Sequence, residues 1–265
     1  WKMRREEGAW VRLMCVAAAL KLLQGALKRR RRAAAGEEEG TWVGKPSLQV
    51  LLALVAGWYD VVCFKQYKCY ANMMTGNTLT MCMALGNRNY KDAGLLAGAV
   101  ANFAGGFTLF KYLELRWKGK GTTTAVAPMV LALFALADHY RRKYPGTRKH
   151  VLLLAIAGGI VNAVSAERAK IVTNMLTGHY QKLCGDTADL LHKGVSEEQK
   201  QSAYHSLRVI AVFCTSFVAA AAAWNVDHQY HTLSKHRFTV IGAVYAALLV
   251  LHEMPVGWGG KEKKE

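Results

Sequence analysis

Asp60 is the one charged residue in the apolar stretch 46–64, and two polar runs stand out further along the chain. The first holds Asn72, Thr75, Gly76 and Asn77; the second holds Asn174, Thr177, Gly178 and His179. A carboxylate within an apolar span usually faces a cavity or a partner and often marks an ion or proton path. Amides and hydroxyls in such a span must bond neighbouring carbonyls or a bound solute, because lipid offers no hydrogen-bond partners. With Asn162 these residues make the candidate substrate-binding set: Asp60, Asn72, Thr75, Gly76, Asn77, Asn162, Asn174, Thr177, Gly178 and His179. Each also has a plainer reading. Asp60 could cap a helix end or pair with Lys65, the Thr-Gly runs could serve close helix packing, and a lone His179 could be hydrogen-bonded structure.

The elements that carry these residues are legible from where charge is missing. The 265 residues have a mean hydropathy of only +0.07, yet ten of the 35 Lys and Arg fall in residues 1–40. Other charges crowd into short stretches such as Arg141, Arg142, Lys143, Arg148 and Lys149, and the gaps between are nearly uncharged. A bilayer core takes about 17–25 apolar residues per helix. The pattern predicts eight membrane-embedded segments near 47–64, 70–86, 93–113, 123–139, 150–165, 171–186, 206–225 and 237–253. A soluble fold is disfavoured, since so many all-round apolar helices would leave no polar face for water.

The expected architecture is therefore all-α: a polytopic transmembrane bundle of six to eight segments. It divides into a basic extension over 1–45, a first membrane repeat over 46–140, a second over 141–254 and a basic tail over 255–265. The extension reads equally as an amphipathic surface helix and as a targeting segment. The net charge of +17 flanks the spans, where it anchors helix ends and attracts anionic lipid headgroups. No nucleic-acid signature accompanies it. Which membrane holds the protein, organellar or plasma, stays open.

In the third segment Gly94, Gly98, Asn102 and Gly106 recur at four-residue steps, a smooth face suited to packing against another helix. Cys15, Cys63, Cys69, Cys82, Cys184 and Cys214 are scattered and read as small apolar residues rather than a disulfide frame. The sequence offers no metal site: His228, His231 and His236 beside Asp227 match no usual ligand spacing. Gly119-Lys120-Gly121-Thr122 lacks the Walker spacing. No cofactor is expected, and neither a nucleophile elbow nor paired catalytic carboxylates speak for an enzyme.

Shifting the chain against itself by 102 positions aligns 57–76 with 159–178 without a gap. Gly57 meets Gly159, Lys68 meets Lys170, Asn72 meets Asn174, Met73 meets Met175, Thr75 meets Thr177 and Gly76 meets Gly178. Chance matching of apolar sequence would favour Ala and Leu pairs, so an internal two-fold repeat is the better account. Asp60 meets Asn162, so one half alone carries an ionisable group at this position.

Gly57-Trp58-Tyr59-Asp60 followed by Met74-Thr75-Gly76-Asn77, with Asn162-Ala163 followed by Thr177-Gly178, resembles the YoaK-like family of multi-pass membrane proteins. The resemblance covers about residues 48–250 and implies a membrane bundle of unknown biochemical function. After Gly178 the chain departs from that pattern, with His179, Tyr180, Gln181 and Lys182 where small residues, Thr and Asp are usual.

Two functions follow as expectations. One is a transporter-like protein with a central polar site between the repeats, for a small solute or ion. The other is a structural or assembly subunit of a larger membrane complex. Parallel repeats with eight crossings and inverted repeats with six remain open at this level.

Overall fold

The computed structural model describes residues 45–117, 121–169, 196–230 and 236–253, with a few positions between 180 and 188. The basic extension, the tail after 253 and the expected segment 171–186 lie wholly or largely outside the described residues. Among the described residues there are seven α-helices, one π-helical turn and no strand. The helices are α1 (Lys45–Tyr67), α2 (Met74–Gly86), α3 (Tyr90–Arg116), α4 (Thr122–Lys143), α5 (Val151–Val164), α6 (Glu197–Tyr230) and α7 (Arg237–Glu253); the π-helical turn Ser165–Ala169 continues α5.

Five stretches within these helices are long and apolar enough to cross a membrane: Ser47–Tyr67, Tyr90–Arg116, Thr122–Lys143, Val151–Arg168 and Lys200–Trp224. That is the pattern of a multi-pass membrane protein. Their outward faces carry large apolar side chains, with Leu115 70 % and Val218 71 % exposed, as lipid rather than water demands. α2 is different. Its 13 residues reach only about 20 Å at 1.5 Å per residue.

Polar contacts between helix ends fix the direction of each helix. At one end of the bundle, Arg148 before α5 donates to the Tyr67 carbonyl that closes α1 and to Asp92 in the first turn of α3. At the opposite end, Lys111 and Glu114 of α3 pair with Glu167 and Arg168 of the π-helical turn. So α3 and α5 run side by side in one direction, while α1 runs the other way.

The lateral contacts agree. Gly57 of α1 faces Ser216 and the Phe213 carbonyl of α6, and Ala53 and Ala56 pack with Val209 and Phe213, so α1 and α6 are parallel. α4 and α7 are antiparallel and cap one another. Glu253 at the end of α7 accepts the Thr123 and Thr124 N–H groups that open α4, at 3.0 and 2.8 Å. Asp138 of α4 accepts the Thr239 N–H and O–H at the start of α7, at 2.7 and 2.9 Å. Each carboxylate satisfies amide donors that an isolated helix would leave open.

Close crossings depend on glycine. A Cβ at Gly159 would strike the Phe103 carbonyl and come within 2.9 Å of the Phe107 nitrogen; one at Gly106 would strike the Ile156 carbonyl. These set the α3–α5 contact. Of the expected smooth face on α3, Gly98 meets Leu152, while the Asn102 amide donates to the Gly98 carbonyl of its own helix. Gly94 is exposed with open space around it.

The membrane-embedded segment expected over 70–86 is split. Lys68 takes a positive φ of 54°, a left-handed cap that ends α1. Residues 68–73 then run back along α1 as a non-helical limb before α2 begins at Met74. The Tyr70 ring stacks on Phe64, one turn before the end of α1, at 4.9 Å between centroids. Asn72 reaches Asp60, one further turn inward. α2 then returns toward the end it came from, where α3 starts at Tyr90. The limb and α2 thus form a hairpin that enters the bundle and leaves by the same end.

Two outcomes follow. Gly159→Ala should destabilise the purified protein by about 1–3 kcal/mol through forced overpacking against backbone, whereas Gly105→Ala, in open space, should be neutral or slightly stabilising in thermal unfolding. At Glu253, outside the five candidate spans, burial works to raise the carboxyl, but the Thr124 and Thr123 hydrogen bonds outweigh it and its pKa falls below the ordinary 4.5. Its contribution is then fully present above that value and is lost as pH falls through the lower folded value. The stability gap between wild type and Glu253→Gln should be constant near neutrality and close below about pH 4.5; a gap unchanged by acid would exclude this cap.

Candidate functional site

Asp60 lies two helical turns inside the end of α1, and its side chain is completely buried. Helical spacing places Tyr59 and Cys63 on the neighbouring positions of the same inward stripe, both buried. The Tyr59 hydroxyl donates to the Leu154 carbonyl of α5 at 2.6 Å, tying the two helices together beside the carboxylate. Its ring packs with Phe134 of α4 and Tyr245 of α7, at 4.9 and 6.2 Å between centroids. Four helices therefore converge on the turn that carries Asp60.

The hairpin supplies the fifth wall. Asp60 Oδ1 accepts the Asn72 N–H at 3.0 Å, and the Ala71 N–H is directed at the same carboxylate. Asp60 Oδ2 has no hydrogen-bond partner, and neither atom of the Asn72 amide has one. Asn72 fits because position 158 on α5 is glycine. A Cβ there would lie 2.5 Å from Asn72 Oδ1 and 2.7 Å from the Ala71 carbonyl. The Tyr245 hydroxyl, also buried without a partner, lies within electrostatic reach of Asp60 and beside the Asn72 side chain.

Other members of the predicted set do different work. Asn77 is buried in the first turn of α2, where its Oδ1 accepts the Tyr70 N–H at 2.9 Å and its Nδ2 donates to the Tyr70 carbonyl at 2.7 Å. It thereby stands in for the missing strand or helix partner of the limb. Gly76 lets the Tyr70 ring lie against α2, since a Cβ would sit 3.0 Å from two ring carbons. Thr75 is exposed. Asn162 is buried one turn beyond Gly158 on α5. Asn174, Thr177, Gly178 and His179 lie outside the described residues.

The limb has two faces. Tyr70 and Met73 line an open apolar cleft of about 470 Å³, together with Val61, Phe64 and Lys65 of α1 and Phe217, Val218 and Ala221 of α6. Ala71 and Asn72 face the other way, toward Asp60 and Gly158. The limb is the partition between that cleft and the carboxylate.

Sequence reasoning missed Tyr245, Tyr59 and Gly158. A lone tyrosine in the apolar run 237–253 carries no spacing signal; the Gly158-Gly159 pair in an otherwise bulky stretch was the one available hint. Among the described residues no three His, Cys, Asp or Glu side chains come together as a metal cluster.

Replacing Asn77 by Ala should unhook the limb. It leaves the Tyr70 N–H without a partner and its C=O with only the weak Cys69 thiol donor, at about 1–3 kcal/mol for an unmade bond of this kind. The expected result is a marked drop in melting temperature and faster proteolysis at the hairpin; a variant as stable as wild type would mean that the limb is held elsewhere.

A family described as "Protein of unknown function (DUF1275)" matches residues 48–256. No curated protein and no solved structure matches the chain.

Proposed function

We propose, for a chain that belongs to the DUF1275 family of proteins of unknown function, a transporter-like role: moving a small solute or ion through a polar site at the tip of the hairpin. The observation that carries this reading is Asp60, a fully buried carboxylate well inside a candidate span with one oxygen unpartnered. It faces backbone that has left the helical path. Interrupted helical elements at mid-membrane, with polar ends turned inward, are how many transporters bind their cargo. A packing role alone would be served better by an apolar residue at position 60, because burying an unpaired charge is costly.

The helix pairing supports a duplicated and inverted arrangement. Exchanging α1 with α5, α3 with α6 and α4 with α7 turns the parallel α1–α6 pair into the parallel α5–α3 pair, and α4–α7 into itself. It also reverses every direction. Gly57 and Gly159, matched at the 102-residue offset, then have matching tasks: each lies at the close crossing of its own pair. In this reading α1, α3, α4, α5, α6 and α7 cross, α2 does not, and the count among the described residues is six.

Native Cys63, one turn from Asp60 and within its electrostatic reach, provides the test. With Cys15, Cys69, Cys82, Cys184 and Cys214 replaced by Ser, the protein is reconstituted in one orientation in liposomes. A membrane-impermeant methanethiosulfonate is then added outside or trapped inside. A transporter whose site opens to each face in turn should be labelled at Cys63 from both. Complete protection from both faces would overturn the proposal in favour of a structural or assembly subunit.

A further inference from the structure

The charge around Asp60 does not balance, and its sign identifies what the site binds. Asp60 Oδ1 accepts the Asn72 N–H of the hairpin tip. Three oxygens then remain buried and unpartnered: Asp60 Oδ2 from α1, Asn72 Oδ1 from the limb and the Tyr245 hydroxyl from α7. The donors left to them are Asn72 Nδ2 and the Tyr245 O–H itself, and both are neutral groups. Such donors can bond an ionised carboxylate but leave its buried charge uncompensated. The group therefore needs positive charge or a proton.

No cationic side chain supplies it among the described residues. The titratable groups facing Asp60 are Cys63 on its own helix, Cys69 and Tyr70 in the limb, Tyr59 beside it and Tyr245 across from it. All are neutral in their ordinary protonation states. The basic groups at this end lie elsewhere: Arg148 on Asp92 and the Tyr67 carbonyl, Arg141 on Asp138, Lys68 over the Phe64 ring and Lys65 in the cleft on the other side of the limb. A carboxylate so placed is neutralised rather than left ionised.

The charge needed is one unit. Asn162, the residue matched to Asp60, brings none, and among the described residues no second carboxylate is one of the groups that act on Asp60. Divalent cations take several oxygen ligands, usually with more than one carboxylate. A divalent ion here would leave a net positive charge inside apolar packing. A single proton on Oδ2 would instead turn that oxygen into a donor toward Asn72 Oδ1 or Tyr245. A single alkali ion would draw on the same three oxygens.

We propose that Asp60, Asn72 and Tyr245 form a binding site for one monovalent positive charge, a proton or an alkali ion, taken up at the hairpin tip. Occupation makes the site neutral and ties the limb to α1 and α7. The inference rests on reading that tip as the transport site and names the charge that it carries.

The test is thermal unfolding of the purified full-length protein in detergent. One arm titrates NaCl, LiCl or KCl against choline chloride at constant ionic strength and pH 8; the other varies pH from 8 to 5 in choline chloride. An alkali site gives a saturable rise in melting temperature with one of the three salts. A proton site gives a rise on acidification that no alkali ion reproduces, because a proton bound only by the folded state adds stability as pH falls. In either case Asp60→Asn should abolish the response while leaving the protein folded. Tyr245→Phe, which keeps the ring and removes one oxygen, should shift the titration midpoint by about tenfold, the loss of one hydrogen bond to a charged group. A wild type indifferent to both arms, or an Asp60→Asn variant that responds as wild type does, would overturn the proposal. Labelling of Cys63 from both faces without any cation response would remove this inference and leave the transport reading standing.

Discussion

A backbone that leaves the helix inside an apolar bundle exposes N–H and C=O groups that lipid cannot satisfy, and the arrangement around residues 68–77 answers that constraint. Two side chains do most of it. Asn77 occupies both hydrogen-bonding groups of Tyr70, and Asp60 accepts the N–H of Asn72. The first fixes how the limb lies on α2, the second how far the hairpin enters. Asp60 is thus both the receptor for the hairpin and the group left with an unsatisfied oxygen.

The rest of the bundle holds the walls around this hairpin at close range. Gly158 brings α5 against Asn72, Gly159 and Gly106 bring α3 against α5, and Gly57 brings α6 against α1. Small residues do this in membranes because apolar side chains gain little by leaving lipid, so backbone contact and dispersion must supply the attraction. The α4–α7 pair is locked differently, by Glu253 and Asp138 at opposite ends, each on the other helix's amide donors. Helices that carry Phe134 and Tyr245 to the site are thereby fixed in register, since sliding either one would strip a carboxylate from its cap at both ends.

The apolar spans were legible because membrane insertion reads a local average: long uncharged stretches predict α1, α3, α4, α5 and α6 from the sequence near each. The split of the second stretch, residues 70–86, was not. Asn72, Thr75 and Asn77 marked it as polar, but hydropathy does not distinguish a polar helix from a limb and a short helix. The distinction lies in Asn77 bonding backwards to Tyr70 and in Lys68 adopting a left-handed φ. The spacing of Gly94, Gly98 and Gly106 suggested one continuous packing face, yet Gly94 is exposed. A helix surface names its candidates, and only the partner's position selects among them.

By itself the sequence determined the class of solvent, the helical spans that this solvent imposes, and Asp60 as the residue out of place among them. These follow from composition along short windows, and no contact between distant residues is needed to read them. Only the tertiary structure decided that α2 turns back, that Asn72 and not Thr75 meets the carboxylate, and that Tyr245, 185 positions further on, completes the site. Those choices depend on which backbones can approach within contact, a matter settled by glycines on helices far apart in the chain.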